Sequence, residues 1–509
     1  MPYVILTKQY NYTLAAFTIS GEYLYSMAKS IKANYLYDAA YQVLRLLTPF
    51  ITTPYLSRIF KADGIGTISF VKSIVQYFSL FAAMGIFSYG MREISYLQDD
   101  RAGRSRVFWN LKALALINAS VCITAYLAFT CVYVSENYVL YLIEGINITY
   151  TLFDVGWLFA GMEEFRLLAL RNTVIRVLNI ASVFLFVKSR ADIPVYMLVN
   201  VLFIIAGHVV MFPYMPKYID APDFKNIRPF QGIKTILALF LPSIAIEVYT
   251  VLDKTMLGMF TSTAFENGYY ESAMKLSKIA MMVLLSMSNV MIPRIGYLFG
   301  KNDMNTIREY MYRSFRFVWF LGLPVCFGLI GISENFVPWF FGEGYMKVAG
   351  LIKITGFLVL AIGLNNVTGI QYLIPSKRQK TYTLTLTLGA TVNFCMNLVF
   401  IPLFGSYGAA GASVIAESVI ALSQLYILRK ELSIRKIAAS SRNYIIAGIV
   451  MLSALVLMGK KLAPSPVNTF IMILSGALIY FAVLVILHDD FFTQNAYRAL
   501  ESLKQKIHR

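Results

Sequence analysis

Runs of about twenty apolar residues recur from Tyr35 to Leu487, separated by short gaps that carry Lys and Arg. A helix of that length spans roughly 30 Å of hydrocarbon. Within hydrocarbon every backbone N–H and C=O must be satisfied inside the segment or by a close neighbour. A chain built of such runs is therefore confined to a bundle of membrane-crossing helices. We place fourteen spans, at about 35–57, 67–90, 108–133, 138–161, 167–187, 193–212, 232–259, 268–292, 312–331, 348–374, 381–402, 407–428, 443–459 and 466–487. The expected class is an all-α integral membrane protein.

No polar segment is long enough for a soluble domain. The longest gaps, Arg92–Arg106 and Pro213–Gln231, read as connectors. Charged residues make up 14% of the chain, against about 25% in soluble domains. The net charge of +18 invites a nucleic-acid partner, but its distribution excludes one. With the N-terminus taken as cytoplasmic, 28 loop Lys/Arg fall on one side and 7 on the other. The positive-inside rule then puts both termini in the cytoplasm.

A faint repeat organises the spans. A long span, a short Gly-containing turn and a polar-striped span occur at 35–90 and return at 232–292, about 200 residues later. Repeated halves around a midplane site are a common transporter plan. The expected units are residues 27–220 and 221–430, two pseudo-symmetric six-helix bundles, followed by a helix pair at 431–490. Residues 491–509 read as an amphipathic tail on the inner membrane surface, because Phe492, Tyr497, Leu500, Leu503 and Ile507 share a helical face. Residues 1–26 have no signal-peptide order, and Met27-Ala-Lys-Ser-Ile-Lys32 resembles a cytoplasmic start. They are expected to be an untranslated or disordered extension.

Charges inside spans cost roughly 2.5–3.5 kcal/mol each and usually face a cavity or a partner. In the first span Asp38, Gln42, Arg45, Pro49 and Thr52 form one polar stripe; in the second, Ser69, Lys72, Ser73, Gln76 and Ser79 do so. The seventh offers Ser243, Glu247, Thr250 and Lys254, the eighth Glu271, Lys275 and Lys278, and the tenth Lys353, with Asn366 and Gln371 deeper. Facing one another, these stripes line a cationic cleft. Arg clamps phosphate bidentately and Lys acts as a mobile point charge, so the expected ligand is anionic and phosphorylated. The head-group contacts are then Arg45, Lys72, Lys254, Lys275, Lys278 and Lys353. Asp38, Gln42, Gln76, Glu247, Glu271 and Asn366 supply the polar lining. Each Lys has a plainer reading, as a snorkelling or ion-paired side chain.

Glu144, Asp154 and Glu417 lie in or beside spans. Of these, Asp154 and Glu417 are candidates for a coupling sodium ion or proton, or else are satisfied by backbone and neighbouring spans. The four cysteines lie within apolar runs and read as small hydrophobes. His208, His488 and His508 are scattered without metal-like spacing. The chain carries no phosphate-binding loop of the Walker type, and the acidic pairs Asp99-Asp100 and Asp489-Asp490 stand alone at membrane edges. No catalytic residue, metal or cofactor is assigned.

Several segments resemble the Wzx-type polysaccharide flippases of the multidrug/oligosaccharidyl-lipid/polysaccharide exporter superfamily. They are Asn34-Tyr-Leu-Tyr37, Thr53-Pro-Tyr-Leu-Ser-Arg58 through Gly64-Ile-Gly66, Tyr89-Gly-Met-Arg-Glu93 and Trp157-Leu-Phe-Ala-Gly-Met-Glu-Glu-Phe-Arg166. Leu252-Asp-Lys-Thr-Met-Leu-Gly258, Gly268-Tyr-Tyr-Glu-Ser-Ala273, Met291-Ile-Pro-Arg294 and Ile401-Pro-Leu-Phe-Gly405 through Gly408-Ala-Ala410 to Glu417 complete the set. The resemblance implies a V-shaped, MATE-like exporter working by alternating access. It implies an undecaprenyl-diphosphate-linked oligosaccharide as substrate, moved from inner to outer leaflet by a monomer. Membrane lipids, and the polymerase and glycosyltransferases of the same pathway, are the implied partners. A cation-coupled drug or metabolite antiporter of the same superfamily is the competing reading, but cationic drugs call for an acidic cleft. A membrane-bound enzyme of glycan assembly is a third.

Overall fold

The computed structural model describes residues 3–493, with side chains described from Tyr41 onward except at 242, 243, 245, 246, 248, 249, 283 and 289. Of the expected extension 1–26, residues 3–26 fall in the first helix; the expectations for the Asp38 and Ser243 side chains and for the tail beyond residue 493 lie outside the described residues.

The described chain is helical, with no strand. In the first half the helices are α1 (Tyr3–Ala83), α2 (Ile86–Tyr96), α3 (Arg101–Tyr133), α4 (Tyr138–Gly145), α5 (Tyr150–Phe153), α6 (Gly156–Gly161), α7 (Phe165–Phe186) and α8 (Ile193–Val209). After a connector come α9 (Ile233–Phe260), α10 (Phe265–Gly300), α11 (Met304–Phe341), α12 (Met346–Asn365), α13 (Gln379–Phe404) and α14 (Ser406–Ile427). The chain continues through α15 (Ile434–Ala439), α16 (Arg442–Lys461) and α17 (Pro466–Ile486). Helices α1 to α8 pack mainly on one another, α9 to α14 do the same, and α16 and α17 dock on α11.

Among the described residues, eleven helices are long and apolar enough to cross a membrane, so the count of fourteen is not reached. The difference has physical causes. The first two expected spans form one helix, bent at Lys61, whose φ of 57° and ψ of 178° are not helical. The 138–161 stretch is cut into α4, a 3₁₀ turn at Ile146–Thr149, α5 and α6, each too short to cross alone.

The 200-residue repeat has a structural counterpart. A Cβ on Gly66 would sit 1.7 Å from the Ala264 carbonyl oxygen, and one on Gly268 would sit 1.7 Å from that of Ala62. The Ser69 hydroxyl donates to Glu271, its partner 202 residues on, at 3.5 Å. The two halves thus meet through reciprocal Ala-x-x-x-Gly contacts, where only a missing side chain lets backbones come so close. Arg58 reinforces this end, donating to the Pro54 and Trp339 carbonyls at 2.7 and 2.5 Å.

At the basic end the chain is also anchored. Met84 and Gly85 have φ of 42° and 71°, breaking the helix before α2. Buried Arg104 donates to the carbonyls of Tyr218, Leu97 and Gln98 at 2.8, 3.1 and 2.5 Å. Arg101 binds Asp220 at 2.7 Å. The basic connector is therefore pinned to α3, its backbone oxygens satisfied by guanidinium groups.

Candidate functional site

Four cavities that share wall residues, each with charged side chains in its lining, lie in the first half and at its seam with the second. The section nearest the Gly66–Gly268 contact holds about 200 Å³; Ser69, Lys72, Gln76, Lys254, Glu271 and Lys275 line it, with Tyr196. Lys254 pairs with Glu271 at 2.6 Å, and the Lys72 ammonium sits 5.5 Å above the Tyr196 ring. Sequence spacing had separated these residues into different helices; the hairpin-like bend of α1 and its packing on α9 and α10 bring them to one wall.

Lys72 and Gln76 also line the next section, about 480 Å³, with Glu144, Asn147, Tyr150 and Glu247. Gln76 donates to Glu247 across the seam between halves. Glu144 is buried at the break after α4, the point where the fourth expected span loses its helical ladder.

Tyr150 leads into a third section of about 460 Å³, lined by Lys112, Asp154, Arg171, Asn172, His208 and Trp157. Its chemistry follows from the interrupted helix. A break within hydrocarbon leaves carbonyls that need donors. Lys112 supplies them, reaching the carbonyls of Leu152 and Asp154 at 2.9 and 2.7 Å. The Asp154 carboxylate accepts from the Gly156 N–H at 2.8 Å, capping α6, and lies 3.2 Å from His208 Nδ1. Arg171, Asn172 and His208 are shared with a fourth chamber of about 320 Å³ between α1, α7 and α8, which adds Tyr41, Arg176, Asn179 and Asn200.

Of the residues expected from sequence, Lys72, Lys254, Lys275, Gln76, Glu247 and Glu271 are gathered in this passage. Lys278 is exposed one turn beyond Lys275 and within electrostatic reach of Lys254, Glu271 and Glu247. Others are placed elsewhere. Gln42 and Arg45 are exposed on α1 and line none of the four sections. Lys353 pairs with Glu334 of α11 at 2.5 Å. Asn366 is buried at the start of a π-helical stretch, Asn366–Leu373, where it is hydrogen-bonded to Ser288. Asp154 belongs to the third section, and Glu417 is buried in the second half, bonded to Asn365. Asp253, a span-end residue by sequence, is buried and held by Tyr270, Ser413 and Asn397.

Sequence reasoning missed Lys112, Arg171 and His208. The first two counted as loop cations, and His208 had no partner nearby in the chain. A signal was available: Asn172, Arg176 and Asn179 recur at helical spacing on one face of α7, opposite Asn200 and His208 on α8. Six cations in the four sections, Lys72, Lys112, Arg171, Arg176, Lys254 and Lys275, face the carboxylates Glu144, Asp154, Glu247 and Glu271. The passage therefore favours an anionic polar ligand over a cationic one.

Comparison with known proteins accords with this arrangement. A family model described as polysaccharide biosynthesis protein matches residues 31–299. A protein assigned as an O-antigen transporter in Shigella dysenteriae is 23% identical over 406 residues, 78% of this chain and 99% of that one. Among solved structures, the lipid II flippase MurJ in an inward closed conformation superposes with a TM-score of 0.70 at 15% identity, covering 90% of this chain and 99% of its own. An inward-facing multidrug resistance MATE family transporter of the MOP superfamily gives 0.58 at 12% identity, covering 82% and 94%. At these identities the structural likeness establishes the fold alone.

Proposed function

The chain belongs to the polysaccharide biosynthesis protein family, and we propose that it is a flippase for an undecaprenyl-diphosphate-linked oligosaccharide, moved from the inner to the outer leaflet of the plasma membrane. A sugar–diphosphate head cannot cross hydrocarbon unaided, whereas its lipid tail can remain among lipids throughout. The observation that carries the reading is the seam itself. Lys72 from the first half and Lys254 and Lys275 from the second converge on one cavity, whose Lys72 and Gln76 wall is shared with the next polar section. Donor-only ammonium groups suit the acceptor-only oxygens of a diphosphate. Because these cations come from both halves, a rocking motion of one half against the other would hand the head group from one side to the other.

The O-antigen transporter relative and the MurJ likeness support this reading. The excess of Lys and Arg in the loops after α2, α8, α10, α12 and α14 and at the helix ends that flank them supports a cytoplasmic position for that end and for both termini. Coupling to a sodium ion or proton through Asp154 or Glu417, partnership with a polymerase and glycosyltransferases, and action as a monomer belong to the same proposal. The test is transport. In cells that depend on this protein for surface polysaccharide, Lys254→Gln should cut outer-leaflet oligosaccharide by about tenfold or more at normal expression, the scale of a lost charge-assisted contact. Unchanged export in both Lys72→Gln and Lys254→Gln cells would end the reading.

A further inference from the structure

The chamber between α1, α7 and α8 differs in chemistry from the seam, and we propose that it is a subsite for the sugar rings of the oligosaccharide; this rests on the flippase reading and adds where the glycan lies. The seam cavity presents three ammonium groups, which only donate, beside the Glu271 carboxylate, which only accepts, and a single carboxamide, Gln76. The chamber presents the carboxamides of Asn172, Asn179 and Asn200, with the guanidinium groups of Arg171 and Arg176. A carboxamide both donates and accepts, as does a sugar hydroxyl, so amides match a hydroxyl-rich surface in a way that lysines do not.

The hydrogen bonds that the chamber's own side chains make to one another are incomplete. Arg171 gives Nε and Nη2 to the same acceptor, Asn172 Oδ1, at 3.1 and 2.7 Å. Its Nη1 is buried and has no partner. His208 Nδ1, on the shared wall, likewise makes no hydrogen bond in spite of its 3.2 Å approach to Asp154. Asn179 reaches Asn200 only at a weak 3.4 Å. Buried polar groups left in this state are costly, and native structures normally satisfy them. A ligand carrying several hydroxyls would satisfy them together, which an apolar tail would not.

The geometry joins this chamber to the seam. It shares Arg171, Asn172 and His208 as a wall with the section that Tyr150 borders, and Tyr150 also lines the section holding Lys72. A head group with its diphosphate at Lys72, Lys254 and Lys275 therefore has a polar path for its sugars along α7 and α8. At about 320 Å³ the chamber falls within the range of small-molecule pockets.

Binding of two probes to purified, full-length protein in lipid nanodiscs tests the assignment. One is undecaprenyl diphosphate; the other is the same lipid bearing the glycan extracted from the source cells' membranes. The wild type should bind the glycolipid at least about tenfold more tightly than the bare lipid. Asn200→Leu and Arg171→Gln should each weaken binding of the glycolipid by more than binding of the bare lipid, and so abolish that preference. Lys72→Gln should weaken both. Should Asn200→Leu fail to fold by thermal melting, Arg171→Gln and competition decide: free glycan should displace the glycolipid, not the bare lipid, from the wild type. Equal wild-type affinity for the two lipids, or a preference that survives Arg171→Gln, overturns the subsite alone. A wild type that binds neither lipid overturns the flippase reading and the subsite with it.

Discussion

Lys254 and Glu271 illustrate how a charge becomes affordable inside a bilayer. Their side chains are about one-fifth exposed, at 21% and 23%, and meet at 2.6 Å. Removing one partner leaves the other uncompensated, a change that costs roughly 3–5 kcal/mol when fully buried and less with this exposure. Lys254→Gln or Glu271→Gln alone should therefore lower the melting temperature in detergent, while the double variant should regain most of the loss. Transport should not recover in the double variant, because neutralising the pair removes the cation that faces the head group. Recovery of both properties together would mean the pair serves stability alone.

A second residue-scale prediction concerns Glu431, which lies between membrane spans. It accepts from Arg378 Nη1 and Nη2 at 2.7 Å each and from the Tyr372 hydroxyl at 2.5 Å. Its carboxyl is held below the ordinary carboxylate range, chiefly by the Arg378 hydrogen bonds. A carboxyl whose folded value is depressed stabilises the fold above its unfolded pKa and loses that contribution as pH falls through the folded value. The melting advantage of the wild type over Glu431→Gln should thus be full at pH 7 and vanish in the acid range below the usual carboxylate pKa. An advantage that grows on acidification would contradict the sign.

At the scale of elements, the reciprocal approach of α1 and α10 is the most specific contact in the fold. The Cβ of Gly66→Ala would fall 1.7 Å from a backbone oxygen, as would that of Gly268→Ala. A backbone atom cannot swing aside as a side chain can, so the helices must part. Either substitution should open that end of the seam. In a variant otherwise free of cysteine, Ser69→Cys should then react severalfold faster with a membrane-impermeant thiol reagent than in the Gly66, Gly268 background. The interrupted 138–161 stretch is the other informative element. Lys112 closes its open carbonyls, so Lys112→Met, of similar length and without donors, should destabilise the third cavity and raise proteolysis near Asp154.

For the whole molecule, the asymmetry of basic loops makes a topological prediction. Ser189, exposed in the turn between α7 and α8, and Asn226, exposed in the connector before α9, belong to opposite ends of the bundle. As single cysteines, the first should react with an impermeant reagent in intact cells and the second only after permeabilisation. The reverse pattern would invert the direction proposed for transport.

The helical membrane class was legible in the sequence because hydrocarbon admits few alternatives: a run of twenty apolar residues has to satisfy its own backbone. The repeat near 200 residues was legible for the same reason, since its polar stripes stand out against an apolar background, and Lys72, Lys254, Lys275 and Glu271 were found that way. Arg45 and Lys353 stood out equally, yet the fold leaves Arg45 exposed and Lys353 half-buried on a carboxylate outside the passage. A stripe gives the face of a helix but not what that face meets. Lys112, Arg171 and His208 were placed only by the tertiary structure, because what they face lies 42 residues away for Lys112 and the Asp154 carbonyl, and on other elements for His208 and the Asp154 carboxylate and for Arg171, which shares a chamber with Asn200. Helix periodicity is a local property, set by bonds four residues apart; a cavity is set by how helices distant in the chain are packed, and that packing alone decided where the passage runs.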